Sequence, residues 1–254
     1  MHDPDSAYIP SLANRAPPVV SFLEEGRGKR VKVILFGATG MVGQGALREC
    51  LLDPEVESVL AIGRTATGQQ HERLHEIVHE DFCDFSPIED KLAGYGACFF
   101  CLGVSAMGIS EQWYRRVTYD FTMSAARTLA RLNPNMTFIY VSGAGTDSSE
   151  RGRIMWARVK GMTENALLQL PFRAQYMFRP AYIQPLHGIR TKTKLYRVFY
   201  ALLAPIFPLW KALLPKYVTT TEHLGRAMIE VAKRGAPKRV LENHDINRIC
   251  QDGA

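Results

Sequence analysis

The chain has few cysteines and no apolar run long enough to cross a bilayer. Its five cysteines, an odd number in 254 residues, are scattered at positions 50, 83, 98, 101 and 250, unlike the framework of a secreted disulfide protein. The opening stretch, MHDPDSAYIPSLANRAPP, lacks the basic and apolar regions of a secretory signal. A helical span needs about 20 apolar residues, and no run approaches that length. We therefore expect reduced thiols and a cytoplasmic location.

Two short patterns suggest metal or redox chemistry, but their context argues against it. The segment from His75 to His79 reads HEIVH and matches the zinc-protease pattern HExxH, which needs a helix to bring both histidines to one face. Its apolar residues favour a strand, along which the two histidines lie too far apart for one ion. Cys98 and Cys101 form a CxxC in ACFFCL, a predicted strand on which they face opposite sides. We predict inert thiols and no metal site, with a redox or metal pair as the alternative.

Charge is distributed unevenly along the chain. Residues 1–150 carry 13 Lys and Arg against 19 Asp and Glu, a net charge of −6, whereas residues 151–254 carry 18 against 6, a net charge of +12. A basic half suits an anionic cofactor or substrate, a membrane surface or nucleic acid. No zinc-finger, basic-zipper or ribonucleoprotein signature accompanies the charge, so we expect no nucleic-acid partner.

The alternation of strands and helices predicts one α/β domain over residues 29–254, preceded by an N-terminal extension over residues 1–28. Repeated β-α-β units predict a Rossmann-type, doubly wound parallel sheet with helices on both faces. Predicted strands cover 31–36, 56–62, 75–81, 97–102, 136–141 and 174–178, and predicted helices cover 41–52 and roughly 154–170. A further amphipathic helix is predicted from apolar residues at every fourth position, namely Trp113, Val117, Phe121, Ala125 and Leu129.

Three glycines follow the first predicted strand and open the first helix. In this context Gly37 permits a tight turn, Gly40 lets the backbone approach a pyrophosphate, and Gly43 lets the helix pack close to the strand. The free N–H groups of the helix N-terminus would then face the phosphates. The pattern predicts a dinucleotide site, and the alternative is a glycine-rich turn without a ligand.

The end of the second predicted strand indicates which dinucleotide is preferred. An acidic residue there would hold the ribose 2′-hydroxyl of NAD, but the sequence reads AIGRT and places Arg64 at that point. A guanidinium suits a 2′-phosphate. We therefore expect NADP(H) to be preferred, with NAD(H) as a second cofactor; the alternative is that Arg64 is merely a solvated surface residue.

Several segments together resemble a known family. GATGMVG follows the first strand, Asp81-Phe82 follows the third, Ser142 closes the fifth, Lys160 lies on the next helix, and Arg179-Pro180 follows the sixth. Over roughly residues 30–235 the chain resembles the atypical short-chain dehydrogenases, within the NAD(P)H-binding epimerase- and dehydratase-like group that includes the Tat-interacting oxidoreductase branch.

The resemblance implies a role for each matching position. Asp81 and Phe82 would flank the adenine, Lys160 would hold the ribose hydroxyls, and Leu102 and Gly103 would line the passage to the nicotinamide ribose. The segment from Pro180 to Ile183 would meet the carboxamide. The full set of predicted cofactor-binding residues is Gly37, Thr39, Gly40, Met41, Val42, Gly43, Arg64, Asp81, Phe82, Leu102, Gly103, Lys160, Pro180 and Ile183.

Reductases of this family use a Ser, a Tyr and a Lys four residues after the Tyr, and the cofactor supplies the hydride. Ser142 and Lys160 are the predicted catalytic or cofactor-positioning residues, and the alternative is that they are plain helix-cap and surface residues. Trp156 stands where the Tyr is expected, and an indole cannot transfer a proton at neutral pH. Three explanations stay open. The proton comes from a water chain or another tyrosine, the reaction differs, or the protein only binds the cofactor and signals its state. The other tyrosines considered are Tyr114, Tyr119 and Tyr182.

The segment 195–217 is apolar and flanked by basic residues, but Pro205 and Pro208 interrupt it. We interpret it as helices of a small C-terminal lobe for substrate, around residues 185–220. A substrate lid, a homodimer face and a membrane-surface contact are the alternatives, and we do not expect the membrane contact. The sequence as a whole favours an NADP-dependent oxidoreductase or epimerase-like enzyme for a small apolar substrate, with a non-catalytic NADP(H)-binding regulator as the second reading.

Overall fold

Seven parallel strands form the centre of the fold. The structure is a computed structural model, and it describes residues 30–189 and 215–252. The strands of this sheet are β1 (Val31–Phe36), β2 (Val56–Gly63), β3 (Leu74–Val78), β4 (Ala97–Phe100), β5 (Thr137–Val141), β6 (Ala174–Arg179) and β9 (Val240–Glu242). Their spatial order is β3-β2-β1-β4-β5-β6-β9. The helices are α1 (Met41–Leu52), α2 (Glu111–Arg115), α3 (Phe121–Leu132), α4 (Met155–Leu167), α5 (Thr221–Arg234) and α6 (Asn243–Asp252). The predicted Rossmann-type doubly wound sheet is confirmed.

Alternation along the strands divides the core into two layers. In β1, Val33 and Leu35 face a cluster with α1 and α5, while Ile34 and Phe36 face a second cluster with α3. All four side chains are fully buried, as expected for a parallel sheet covered on both faces. The strand order reverses direction between β1 and β4, and this switch point is where α/β folds open a crevice at the carboxyl ends of their strands.

Close packing between α1 and α5 fixes the helix that follows the glycine turn. A Cβ on Gly45 would lie 2.7 Å from the Thr221 carbonyl oxygen, so these two helices approach almost to backbone contact. At the other end of α1, the Arg73 guanidinium donates to the carbonyls of Leu51, Asp53 and Val56. A cation at a helix C-terminus is favourable because it satisfies carbonyls that lack helical partners.

The helix predicted around Trp113 is interrupted. A π-helical turn over Arg116–Asp120 separates α2 from α3, so a four-residue spacing does not keep one face across the junction. Val117 and Leu129 are buried as predicted, but Trp113 is 47% exposed. Its ring lies 5.8 Å from the Arg116 guanidinium instead of on the sheet. Its predicted place on the buried face is therefore wrong.

The third predicted strand is shorter than expected. Strand β3 ends at Val78, and His79 turns inward to contact the Asp84 carbonyl oxygen through Nε2 at 2.8 Å. His75 and Glu76 lie on this strand, so the HExxH residues do not form the helix that a zinc site needs.

A two-stranded parallel sheet lies beyond the main one. It pairs β7 (Tyr182–Gln184) with β8 (Val218–Thr220), which follows a short 3-10 helix over Pro215–Tyr217. Most of the apolar basic segment and of the predicted lobe around 185–220 lies outside the described residues. Within residues 30–189 and 215–252, no helix is both long and apolar enough to cross a membrane.

Candidate active site

A cavity of about 580 Å³ opens at the carboxyl ends of β1, β4, β5 and β6. The glycine turn forms one wall, the start of α4 forms another, and the residues after β6 form a third. Its lining residues are Gly40, Met41, Val42, Cys101, Leu102, Gly103, Val104, Val141, Ser142, Gly143, Ala144, Trp156, Lys160, Pro180, Ala181 and Ile183. The fold therefore brings together residues predicted from five separate segments of the sequence.

The glycine turn has no room for side chains. Gly37 has φ +79°, and a Cβ there would lie 2.7 Å from the Cys101 carbonyl carbon. A Cβ on Gly43 would lie 2.0 Å from the Gly37 carbonyl oxygen. Gly40 is the N-cap of α1 and has no side chain to cap the helix, so the first-turn amides stay available to an anion. This cradle fits a dinucleotide pyrophosphate.

A shallower depression adjoins the turn at the end of β2. Thr39, Gly63 and Thr65 line it, and the Arg64 side chain is exposed beside it. The carboxylate of Glu76 also lines it and accepts the Thr67 N–H at 2.7 Å. This carboxylate was not predicted, because Glu76 lies on β3 and not on the second strand, and it pairs in register with Ala61 of β2.

The Asp81-Phe82 pair separates into an exposed and a buried residue. The Asp81 carboxylate is at the surface and accepts the Cys83 N–H at 2.9 Å. Phe82 is 1% exposed, and its ring lies 5.8 Å from Phe121 in an aromatic part of the core. The Phe82 ring therefore belongs to the core, and Asp81 is the member of the pair whose side chain is exposed.

Ser142 and Lys160 meet at the base of the cavity. The Lys160 ammonium donates to the Ser142 carbonyl oxygen. The Ser142 hydroxyl points inward, where it donates to Glu164 Oε1 and to the Phe178 carbonyl oxygen at 3.2 Å. Burial lowers the pKa of Lys160 to about 8, and the Glu164 carboxylate opposes that shift. Lys160 therefore lines the cavity, whereas the Ser142 hydroxyl is bonded to groups in the core.

Trp156 lines the cavity one helical turn before Lys160, where the resemblance expects a tyrosine. None of the three other candidate tyrosines lines it. Tyr114 is 2% exposed, Tyr119 lies against the Arg115 guanidinium at 5.5 Å, and the Tyr182 hydroxyl donates to Gln184 at 2.8 Å.

Among the described lining residues, Lys160 and Cys101 are the groups that can titrate. Burial raises the pKa of the Cys101 thiol to about 12. The described part of the cavity therefore offers an ammonium and no phenol near the cofactor position.

The strand order, the glycine turn and the cavity define a Rossmann-type fold that resembles the NAD(P)-binding short-chain dehydrogenases. The comparisons confirm the resemblance to atypical short-chain dehydrogenases, although no protein-family model matches the chain. Leucinostatins biosynthesis cluster protein T of Purpureocillium lilacinum is 29% identical over 54% of this chain and 51% of its own length. Protein HTATIP2 of Rattus norvegicus is 26% identical over 62% of this chain and 64% of its own length. Protein fmp52-2 of Aspergillus oryzae is 24% identical over 86% of this chain and 96% of its own length.

Solved structures share the fold at low identity. The Bordetella bronchiseptica enzyme WbmF, solved with NAD+, has a TM-score of 0.61 and 12% identity over 89% of this chain and 79% of its own. A UDP-N-acetylglucosamine 4-epimerase from Methanobrevibacter ruminantium has a TM-score of 0.63 and 14% identity, over 84% of this chain and 76% of its own. Likeness at these identities extends to the fold alone. The matches span 51% and 64% of the lengths of the first two curated relatives, which is less than two thirds of each.

The predicted cytoplasmic location is wrong by these comparisons. The FMP52 relatives from Scheffersomyces stipitis, Aspergillus oryzae and Neurospora crassa are named as mitochondrial proteins. The absence of a secretory signal and of a bilayer span in the sequence does not distinguish the cytoplasm from a mitochondrion.

Proposed function

We propose that the chain is an NADP(H)-dependent oxidoreductase or epimerase-like enzyme that acts on a small apolar substrate. The observation that carries the proposal is the single cavity in which the glycine turn, Lys160 and the segment from Pro180 to Ile183 converge. A cofactor lying across the switch point would meet all three. When bound, the dinucleotide supplies or accepts the hydride.

The chain's own residues would bind and orient that cofactor. The first-turn amides at Met41 and Val42 would hold the pyrophosphate, and the Lys160 ammonium would hold the ribose hydroxyls. Leu102 and Gly103 would line the passage to the nicotinamide ribose. Pro180 and Ile183 would limit the space around the carboxamide.

The described walls near the expected nicotinamide position favour an apolar substrate. Val104, Val141, Trp156 and Ile183 all line the cavity, and Lys160 supplies its only described full positive charge. A substrate with an anionic group would compete with the cofactor ribose for that ammonium. An apolar carbonyl compound requires no second charge, because its carbon skeleton is desolvated against these side chains.

Cofactor choice is tested by exchanging charge at the end of β2. Arg64→Asp places a like charge beside a 2′-phosphate, so NADP(H) affinity should fall by about 2 kcal/mol or more while NAD(H) affinity changes much less. Glu76→Gln is the matched variant, because Glu76 is the carboxylate that lines this depression. Removing the Glu76 charge should strengthen NADP(H) binding and should leave NAD(H) binding unchanged or weaker. Titration calorimetry with both dinucleotides decides, and equal losses for both in Arg64→Asp would contradict an NADP preference.

Turnover is tested at Trp156. Trp156→Tyr returns a phenol to a position one turn before the Lys160 ammonium, whose charge favours the phenolate. Proton transfer contributes on the order of a hundredfold in such chemistry, so NADPH-dependent reduction of simple carbonyl compounds should rise by about that factor. Trp156→Phe is the control, because it also replaces the indole by a smaller ring but has no hydroxyl group that could transfer a proton. Thermal melts with and without NADPH separate a loss of packing from a gain of chemistry. Equal activities of the two folded variants would show that this position does not face the reacting atoms.

A second candidate is a non-catalytic NADP(H)-binding regulator. Two observations favour it: Trp156 occupies the proton-donor position, and Glu164 and the Phe178 carbonyl already engage the Ser142 hydroxyl. A regulator would bind NADPH with unchanged affinity across substrate panels and would not oxidise it. Steady NADPH oxidation with any apolar aldehyde or ketone, abolished in Lys160→Ala, would exclude this reading.

A further inference from the structure

Glu164 is almost completely buried directly beneath the candidate active site. It is 1% exposed and lies one helical turn after Lys160, on the same face of α4. One of its carboxylate oxygens, Oε1, accepts both the Ser142 hydroxyl and the Arg179 Nε–H, the latter at 3.0 Å. Its other oxygen accepts from the Arg179 Nη2. Neither the glycine motif nor the family resemblance assigned this residue a role.

Arg179 holds the Glu164 carboxylate in one place. Its guanidinium also donates to Glu242 of β9 at 3.3 Å and to the Ser148 hydroxyl at 2.6 Å. One side chain at the end of β6 thereby joins α4, β9 and the loop that leaves β5. A carboxylate fixed from several directions can orient a neighbouring hydroxyl without rearranging.

Two residues of α4 form hydrogen bonds with Ser142, one with its main chain and one with its side chain. Lys160 donates to its carbonyl oxygen and Glu164 accepts from its hydroxyl. Its own N–H donates to the Phe178 carbonyl at 2.9 Å, and the Ala144 N–H donates to the Pro180 carbonyl at 2.9 Å. These bonds fix the backbone that lines the cavity immediately after β5.

Among the described charged groups, Glu164 on the same helix is the one that acts on Lys160. Glu164 in turn pairs with Arg179 of β6, which also pairs with Glu242 of β9, and the Glu164 charge influences the buried phenol of Tyr140 on β5. Burial favours the neutral amine of Lys160, and the Glu164 carboxylate favours the ammonium. Without Glu164, no described carboxylate would oppose the effect of burial on Lys160.

We propose that Glu164 is a positioning residue of the candidate active site, which keeps Lys160 charged for the dinucleotide and holds the Ser142 hydroxyl out of the cavity. This inference rests on the proposed function only in naming the dinucleotide as the ligand of Lys160. Glu164 acts through its neighbours and touches neither cofactor nor substrate.

The first test needs no cofactor. In reductively ¹³C-methylated protein, the Lys160 resonance is assigned by its loss in Lys160→Arg and titrated in the parent protein and in Glu164→Gln. We expect the Lys160 pKa to fall by about one unit in Glu164→Gln, because the neighbouring negative charge is removed. Glu164→Asp keeps the charge and should restore most of the shift. Identical Lys160 pKa values in the parent and Glu164→Gln proteins would overturn the proposal, whether or not the protein binds a dinucleotide.

The second test uses NADPH affinity against pH. With the Lys160 pKa lowered by one unit, the charged fraction at pH 8 falls by about fivefold, and at pH 6 it hardly changes. NADPH binding by Glu164→Gln should therefore weaken by about fivefold at pH 8 and match the parent protein at pH 6. An equal loss at both pH values would mean that Glu164 only supports packing, and would overturn the proposal. Absence of NADPH binding by the parent protein at any pH would instead contradict the proposed function, while the lysine titration still decides the role of Glu164.

Discussion

Gly43→Ala is expected to abolish dinucleotide binding and to destabilise the protein. The added Cβ would lie 2.0 Å from the Gly37 carbonyl oxygen and 2.9 Å from the Ala38 Cα, which are backbone atoms that cannot rotate away. Either α1 moves away from β1 or the turn opens. We expect a loss of about 3 kcal/mol in the free energy of unfolding and a loss of at least about a hundredfold in NADPH affinity.

Gly40→Ala is the matched variant, because it should change NADPH affinity without changing the stability of the fold. Its Cβ would meet only the Gly37 carbonyl oxygen, at 3.3 Å, and Gly40 already has the extended backbone of an N-cap, which alanine can adopt. Urea denaturation should therefore give a stability close to that of the parent protein, while NADPH affinity falls because the methyl group occupies the cavity wall. If Gly40→Ala bound NADPH normally, the pyrophosphate would not lie against this turn. A normal stability of Gly43→Ala would contradict the close packing of α1 on the turn.

The parts of the fold that the sequence predicted are those encoded locally. Strand β1, the three glycines and α1 form one continuous pattern, in which each residue type is required by its immediate neighbours. The burial of β1 on both faces follows from the apolar run VILF over Val33 to Phe36, whereas Lys32 before it is exposed. Helix α4 was predicted within a few residues of its observed bounds, Met155–Leu167.

The parts that were missed depend on contacts between distant segments. Glu76 reaches the end of β2 because β3 pairs beside it. The buried Glu164 carboxylate is paired because Arg179, the last residue of β6, lies beside it. Periodicity along α4 gives no indication that a glutamate on its buried face has a partner. One signal was nevertheless available in the sequence: Glu164 lies one helical turn after Lys160, on the helix face predicted to carry the site. Because a glutamate is rarely buried without a cation, a glutamate at that position indicates a basic partner from another segment.

The exposed position of Trp113 has a different cause. Its spacing from Val117 and Phe121 fits a regular α-helix, but the π-helical turn changes the number of residues per turn between them. No local sequence rule used in the prediction distinguishes such a turn from ordinary helix. The error therefore lies in the assumed period and not in the choice of apolar residues.

Arg179→Met is expected to be among the most destabilising substitutions outside the glycine turn. The Arg179 side chain is 11% exposed and that of Glu164 is 1% exposed, so the variant leaves a buried carboxylate whose remaining hydrogen bond among the described residues is the one from the Ser142 hydroxyl. Breaking such a pair from one side costs about 3–5 kcal/mol, because the remaining charge is desolvated without compensation. Urea denaturation at pH 7 measures the loss.

The double variant Glu164→Gln/Arg179→Met shows whether that loss comes from the unpaired charge. It removes both charges together and keeps an amide oxygen that can accept the Ser142 hydroxyl. Because a buried ion pair contributes little net stability once desolvation is counted, the double variant should be more stable than Arg179→Met alone and lie within about 2 kcal/mol of the parent protein. A double variant as unstable as the single one would mean that the Arg179 links to Ser148 and Glu242, and not the burial of the Glu164 charge, account for the loss. The same pair of proteins then separates stability from function, since NADPH binding by the stable double variant should keep the weakness at pH 8 expected for Glu164→Gln.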